Sequence, residues 1–214
     1  MLPNKYRYIV VEGPIGAGKT SLARVLSDYL QSRLILEEAE ENPFLPKFYR
    51  DMRRYALPTQ LFFLFQRSEQ IRVLAQDELF SNQITVSDFM LDKDVLFAQL
   101  TLADDEYYLY QQIYQKLQPK VAQPDLLIYL QAPPEVLIER VKKRGLEFER
   151  NISEAYLEQL AQSYSRFFYN YSATPLLIVN SENLNFVDQP QDFELLLDRI
   201  RSMRGGREFF NRGE

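Results

Sequence analysis

The chain has 214 residues, 46% of them hydrophobic, with 25 Lys and Arg against 30 Asp and Glu and a formal charge of -5. That content suffices for one packed core, so a single domain over residues 1–214 is expected, while the acidic balance argues against a broad nucleic-acid surface and favours a small ligand. Cys and His are absent, which excludes disulfides, thiolate metal sites and imidazole catalysis; neither end carries a long apolar run, so no leader or membrane span and a soluble cytoplasmic protein are expected.

The apolar run Tyr8–Val11 reads as the first strand. Gly13-Pro14-Ile15-Gly16-Ala17-Gly18-Lys19-Thr20 follows it, fits G-x-x-x-x-G-K-S/T, and leads at Ser21 into a helical stretch from Thr20 to Gln31. A loop of this composition turns tightly and points backbone N–H groups inward, and the helix N-terminus adds partial positive charge, so the segment is built to hold a triphosphate. Lys19 is expected on the terminal phosphates and the Thr20 hydroxyl on Mg²⁺, with ATP as the nucleotide. The loop identifies a phosphate donor and leaves the acceptor open.

A second strand, Leu34–Leu36, ends in Glu37-Glu38-Ala39-Glu40-Glu41. Glu37, first after the strand, is the carboxylate best placed to accept a proton from an attacking hydroxyl; its neighbours read as surface or supporting residues. The next helix, Thr59–Gln76, is apolar nearly all round from Leu61 to Phe65, which makes Gln60 and Arg67 buried polar residues in need of partners. Gln60 has the donor pair and acceptor to bind a nucleobase edge, and it can equally satisfy Arg67 or a backbone group within the core. The third strand, Ile84–Ser87, ends at Asp88, an acid placed to ligand Mg²⁺ opposite Thr20.

Helices over Asp92–Leu102 and Asp105–Leu117 precede a fourth strand, Leu126–Leu130, and a helix over Pro134–Lys143. Arg140-Val141-Lys142-Lys143-Arg144 puts four bases in five positions before Gly145, a pattern that clamps phosphates or complements a helix C-terminus. A helix over Ser153–Tyr169, a fifth strand, Leu176–Val179, and a last helix, Asp192–Met203, complete the alternation. The expectation is an α/β P-loop fold with a five-stranded parallel sheet, helices on both faces, a short basic lid over residues 140–152 and a frayed tail over 204–214.

The stretch from Glu37 to Arg67 resembles the deoxynucleoside kinases, and most closely their bacterial deoxyadenosine and deoxyguanosine kinase-like branch, with likeness over nearly the whole chain. The resemblance implies transfer of the ATP γ-phosphate to the 5′-hydroxyl of a deoxynucleoside, purine preferred (deoxyadenosine or deoxyguanosine) with deoxycytidine left open, and Glu37 as the base, although Glu38 stands where the family has Pro. It further implies that Tyr49 and Glu149 hold the sugar 3′-hydroxyl, that Gln60 and Arg67 read the nucleobase and that Phe97 stacks on it. Arg140 and Arg144 match lid arginines acting on the transferring phosphoryl group. After Asp88 the family shows Arg where this chain has Phe89; Lys93 is a candidate for the missing charge, and Asp94 for pairing with Arg67. A homodimer is implied as well, through the Tyr-, Leu- and Phe-rich helices after the third strand. Two alternatives stay open from the residues alone: a nucleoside monophosphate kinase using Arg50, Arg53 and Arg54 on an acceptor phosphate, and a regulatory protein that binds ATP without transferring it.

Overall fold

The computed structural model describes residues 6–78, 83–117 and 123–212. Its centre is a parallel sheet in the order β2-β3-β1-β4-β5-β6, formed by Tyr8–Glu12 (β1), Arg33–Ile35 (β2), Thr85–Ser87 (β3), Leu126–Gln131 (β4), Leu176–Asn180 (β5) and Arg207–Phe210 (β6). The inner strands are continuous apolar runs because both faces are covered. Ile9 and Val11 of β1, with Leu126, Ile128 and Leu130 of β4, turn to one face. There they meet Leu22 and Leu26 of helix α1 (Lys19–Leu30) and Phe193, Leu196 and Ile200 of α8 (Pro190–Ser202). Tyr8, Val10, Leu127 and Tyr129 turn to the other face, under α3 (Met52–Glu78), α4 (Lys93–Thr101) and α7 (Glu154–Asn170).

Two expectations are corrected. The sheet has six strands, not five, because the segment expected to fray pairs with the open edge of β5, Leu176 to Arg207 through Val179 to Phe210. Arg207 ties it down by donating to the carbonyls of Tyr169 at 2.9 Å and Tyr171 at 2.5 Å, and Phe210 packs on the core. Arg212 reaches back to buried Asp192 at 2.6 Å; residues 213–214 of the expected tail lie outside the described residues. The helix expected from Thr59 begins at Met52 and carries Pro58 inside it. Proline there forfeits one backbone hydrogen bond near the helix start, a loss offset by packing of Ala56 and Phe63 against the sheet. The short helix α2 (Leu45–Phe48), which leads into α3, was not expected from the sequence.

Two further helices set the rims of the site. Helix α5 (Asp104–Leu117) packs on α3 through Tyr110, and α6 (Pro134–Arg144) starts on proline and stops at Gly145, whose φ of 69° closes the last turn. A 3₁₀ segment, Glu147–Asn151, then joins α6 to α7, whose N-terminus is capped by Ser153 accepting from the Tyr156 N–H at 3.2 Å. Among the described residues no helix is long and apolar enough to cross a membrane.

Candidate active site

The loop after β1 wraps the start of α1 with Gly16 at φ 85° and Gly18 at φ 95°. A side chain at Gly16 would put its Cβ 2.7 Å from the Leu137 carbonyl, so the loop can lie against α6 only with glycine there. Lys19 folds over this loop and donates to the Pro14 carbonyl at 3.1 Å. Its ammonium pKa is lowered, first by burial and then by the nearby Lys93 cation. Ser21 and Ile15 line a cavity of about 790 Å³ together with Lys19 and Thr20, whereas Pro14 faces a separate groove under α7.

Asp88, at the end of β3, joins the loop to the strand beside it. Its Oδ2 accepts the Thr20 hydroxyl at 2.5 Å and its Oδ1 accepts the Glu37 N–H at 2.7 Å. Glu37 therefore stands across from the loop in the same cavity, at the carboxyl ends of neighbouring strands. Its Oε1 accepts Nε of Arg67 at 2.7 Å and also Nη2 of Arg67, and its Oε2 accepts Lys93 at 3.0 Å. These cations hold the carboxyl at about 2 against the burial that would raise it.

Lys93 and Arg67 extend this pairing in both directions. Lys93 also lies 3.5 Å from Glu12, and Arg67 Nη1 meets Asp94, so Glu12, Lys93, Glu37, Arg67 and Asp94 form a row of alternating charge, buried except at half-buried Glu37. Glu12 is anchored in turn by the Met90 N–H at 3.1 Å and the Tyr164 hydroxyl at 3.2 Å. Lys93 thus places a cation between Glu12 and Glu37 a few residues after Phe89, and Asp94 pairs with Arg67. Asp94 itself is fully buried and does not line the cavity. Glu12 was not singled out in the sequence; the signal was an acid closing an apolar strand directly before the loop.

The far wall carries Tyr49, Gln60, Arg67, Phe97 and Glu149, all lining the one cavity. Gln60 donates to the Thr101 hydroxyl at 3.4 Å, so neither it nor Arg67 is spent on the other. Phe97 packs edge-on against Tyr164, with centroids 6.1 Å apart, and its carbonyl accepts the Thr101 hydroxyl. Burial, and then Tyr156 and Glu149 close by, push the Tyr49 phenol well above its ordinary range. Burial likewise raises the Glu149 carboxyl, against the pull of Arg144, which donates to it through Nε at 3.0 Å and through Nη2. Tyr156 and Phe148 complete this wall and were missed, being indistinguishable in sequence from ordinary core aromatics.

The two arginines at the end of α6 part company. Arg144 lines the cavity, while Arg140 turns away and donates to the carbonyls of Ser181 at 2.6 Å and Glu182 at 3.1 Å, after β5. Arg140, expected beside Arg144 on the transferring phosphoryl group, does not line the cavity; it lies one helical turn back, where the β5–α8 loop claims it. Arg50, Arg53 and Arg54 are all exposed and none lines the cavity, so the three residues assigned to an acceptor phosphate stand away from it; the basic residues that do line it are Lys19, Arg24, Arg67 and Arg144.

Comparison with known proteins agrees with this geometry. Residues 9–203 match the family described as deoxynucleoside kinase. A deoxyguanosine kinase of Bacillus subtilis is 34% identical over 204 residues, covering 94% of this chain and 99% of its own. A deoxyadenosine kinase of Lactobacillus acidophilus is 33% identical, covering 84% and 87%. Among solved structures, the deoxyadenosine kinase from M. mycoides with bound dCTP superposes with a TM-score of 0.78 at 27% identity, over 92% of this chain and all of that one. A glycine-rich loop and a carboxylate across one cavity, in a chain matched to this family over nearly its full length, lead to one conclusion: the chain belongs to the deoxynucleoside kinases, ATP-dependent phosphotransferases.

Proposed function

We propose that this chain, as a single kinase domain with its lid over residues 140–152, transfers the γ-phosphate of ATP to the 5′-hydroxyl of a deoxynucleoside, with deoxyguanosine and deoxyadenosine preferred. The observation that carries the reading is the position of Glu37, in one cavity with Lys19 on one side and with Gln60, Phe97 and Glu149 on the other. The purine preference is supported by relatives named deoxyguanosine and deoxyadenosine kinases.

The loop from Gly13 to Ser21 holds the triphosphate, and Lys19 neutralises charge on its terminal phosphates. Tyr49 and Glu149 fix the sugar, Gln60 and Arg67 take the nucleobase edge, and Phe97 covers its face. As the bond from O5′ to the γ-phosphorus forms and the bond to ADP breaks, the 5′-hydroxyl proton passes to Glu37. Arg144 lies beside Glu149 and reaches the transferring oxygens as charge spreads over them. Thr20 and Asp88 present hard oxygen donors 2.5 Å apart at the phosphate side, a set that would suit Mg²⁺. Held by these two residues, the ion would supply charge neutralisation on the phosphates.

The exposed apolar residues Phe65 on α3 and Tyr108 and Leu109 on α5 support a homodimer through these helices. Labelled ATP with Mg²⁺ and a panel of deoxynucleosides, ribonucleosides and monophosphates tests the activity: label on purine deoxynucleosides is expected, and label on monophosphates alone overturns it. Sedimentation at micromolar protein tests the assembly, and a clean 25.3 kDa species removes the dimer.

A further inference from the structure

The charge row contains one cation that is fixed and one that the acceptor can reach. Lys93 is 3% exposed, is shared between Glu37 and Glu12, and does not line the cavity. Arg67 does line it, beside Gln60 and Phe97. Two N–H groups of Arg67 fill Oε1 of Glu37, while its remaining terminal nitrogen meets Asp94. A carboxylate oxygen that already accepts two charge-assisted bonds has little affinity left for a proton. On its other side, Asp94 keeps Oδ2 fully buried and without a hydrogen bond, so acceptor capacity is waiting next to the guanidinium. A planar guanidinium held between two carboxylates, with a cavity open along its edge, is a group that a ligand entering the cavity can draw from one partner while the other keeps it.

We propose that Arg67 is a positioning residue operated by the nucleobase: engagement of the base draws it off Oε1 of Glu37 toward Asp94, and only then does Glu37 accept the 5′-hydroxyl proton at full strength. Lys93 stays in place throughout and keeps the carboxylate aimed. Base recognition and proton transfer are thereby coupled through one side chain, so a sugar lacking its base loses turnover as well as affinity.

The coupling rests on the deoxynucleoside reading above, and the test separates the two. Deoxyadenosine and deoxyguanosine are compared with 1,2-dideoxyribose, the same sugar without a base, using labelled ATP and Mg²⁺ and resolving kcat from KM. In the wild type, kcat on the base-free sugar is expected to fall by ~10-fold or more, and free adenine or guanine added alongside it restores part of that loss. In Arg67→Gln the two kcat values are expected to converge to within roughly threefold, since nothing remains for the base to displace. Should that variant fail to fold, stimulation of the wild type by free base decides alone. A kcat ratio unchanged by Arg67→Gln, a wild-type penalty confined to KM, or no stimulation by free base overturns the coupling while leaving the kinase reading intact. No label on any deoxynucleoside removes both.

Discussion

Lys93 lies 3.0 Å from Glu37 and is the first residue of α4, a position where a cation opposes the helix dipole. What keeps it there is the pair of carboxylates, Glu12 and Glu37, between which its ammonium is buried. The relationship fixes the direction of the Glu37 side chain from the side opposite the cavity.

Replacing Lys93 by Met leaves buried Glu12 and half-buried Glu37 without their shared cation. A loss of about 3–5 kcal/mol in unfolding free energy is expected, the range for breaking one side of a buried ion pair. Adding Glu37→Gln to Lys93→Met should recover part of that loss. Denaturant unfolding of both variants checks this, and simple additivity of the two losses would show that the pair is not coupled.

Glu37→Gln keeps the shape of the side chain and removes the proton acceptor. Turnover on deoxynucleosides is expected to fall by roughly 10²-fold or more with nucleoside affinity retained. Steady-state kinetics with binding measured by calorimetry checks both halves; near-normal turnover would locate the base elsewhere.

The depressed Glu37 carboxyl, at about 2 against an ordinary value of 4.5, also makes stability depend on pH. A group whose folded pKa is lowered contributes fully above its unfolded value and loses that contribution as pH falls through the folded one. Stability should therefore decline between about pH 4.5 and about pH 2, at up to about 1.4 kcal/mol per pH unit from this group. Glu37→Gln should flatten that part of the profile in acid titrations followed by circular dichroism, and an unchanged slope would assign the acid sensitivity to other carboxyls.

Arg144→Ala and Arg140→Ala should behave differently although the residues are one turn apart. Arg144 lines the cavity, so its loss is expected to lower kcat by ~10²-fold or more. Arg140 braces the carbonyls after β5, so its loss should cost on the order of 1–3 kcal/mol of stability with a smaller kinetic effect. Parallel melting curves and kinetics on both variants check the contrast; equal losses of kcat would give Arg140 a role at the phosphates as well.

Ending the chain at Met203 removes β6 and uncovers the edge of β5 together with the core surface that Phe210 covers. A loss of roughly 2–4 kcal/mol is expected from the apolar area and edge hydrogen bonds exposed. Thermal unfolding of the truncated chain checks it, and an unchanged midpoint would mean that the strand adds nothing to the sheet.

The phosphate loop was legible because its chemistry is local: glycines, lysine and threonine stand at fixed offsets between a strand and a helix. Five strands were legible as apolar runs. β6 was not, because Gly205-Gly206-Arg207-Glu208 has no strand pattern of its own and becomes one only by meeting the open edge of β5. Pro58 hid the first turns of α3, which packing sustains. Asp94 was anticipated as a partner of Arg67, yet Glu12 was not anticipated as a partner of Lys93, since that pair is joined only when α4 folds across β1. Arg140 was misplaced because residues one turn apart on a helix share a face in sequence, while the loop after β5 decides which of them is free.

The row from Glu12 to Asp94 draws its five members from β1, the turn after β2, α3 and α4. Opening any one of these segments strands a charge in the interior of the others, so they should come apart together or not at all. In native-state hydrogen exchange, the amides of β1, the middle of α3 and the first turns of α4 should share a single opening free energy. The segment between α6 and α7, tied by surface contacts such as Lys142 to Glu154, should exchange well before them.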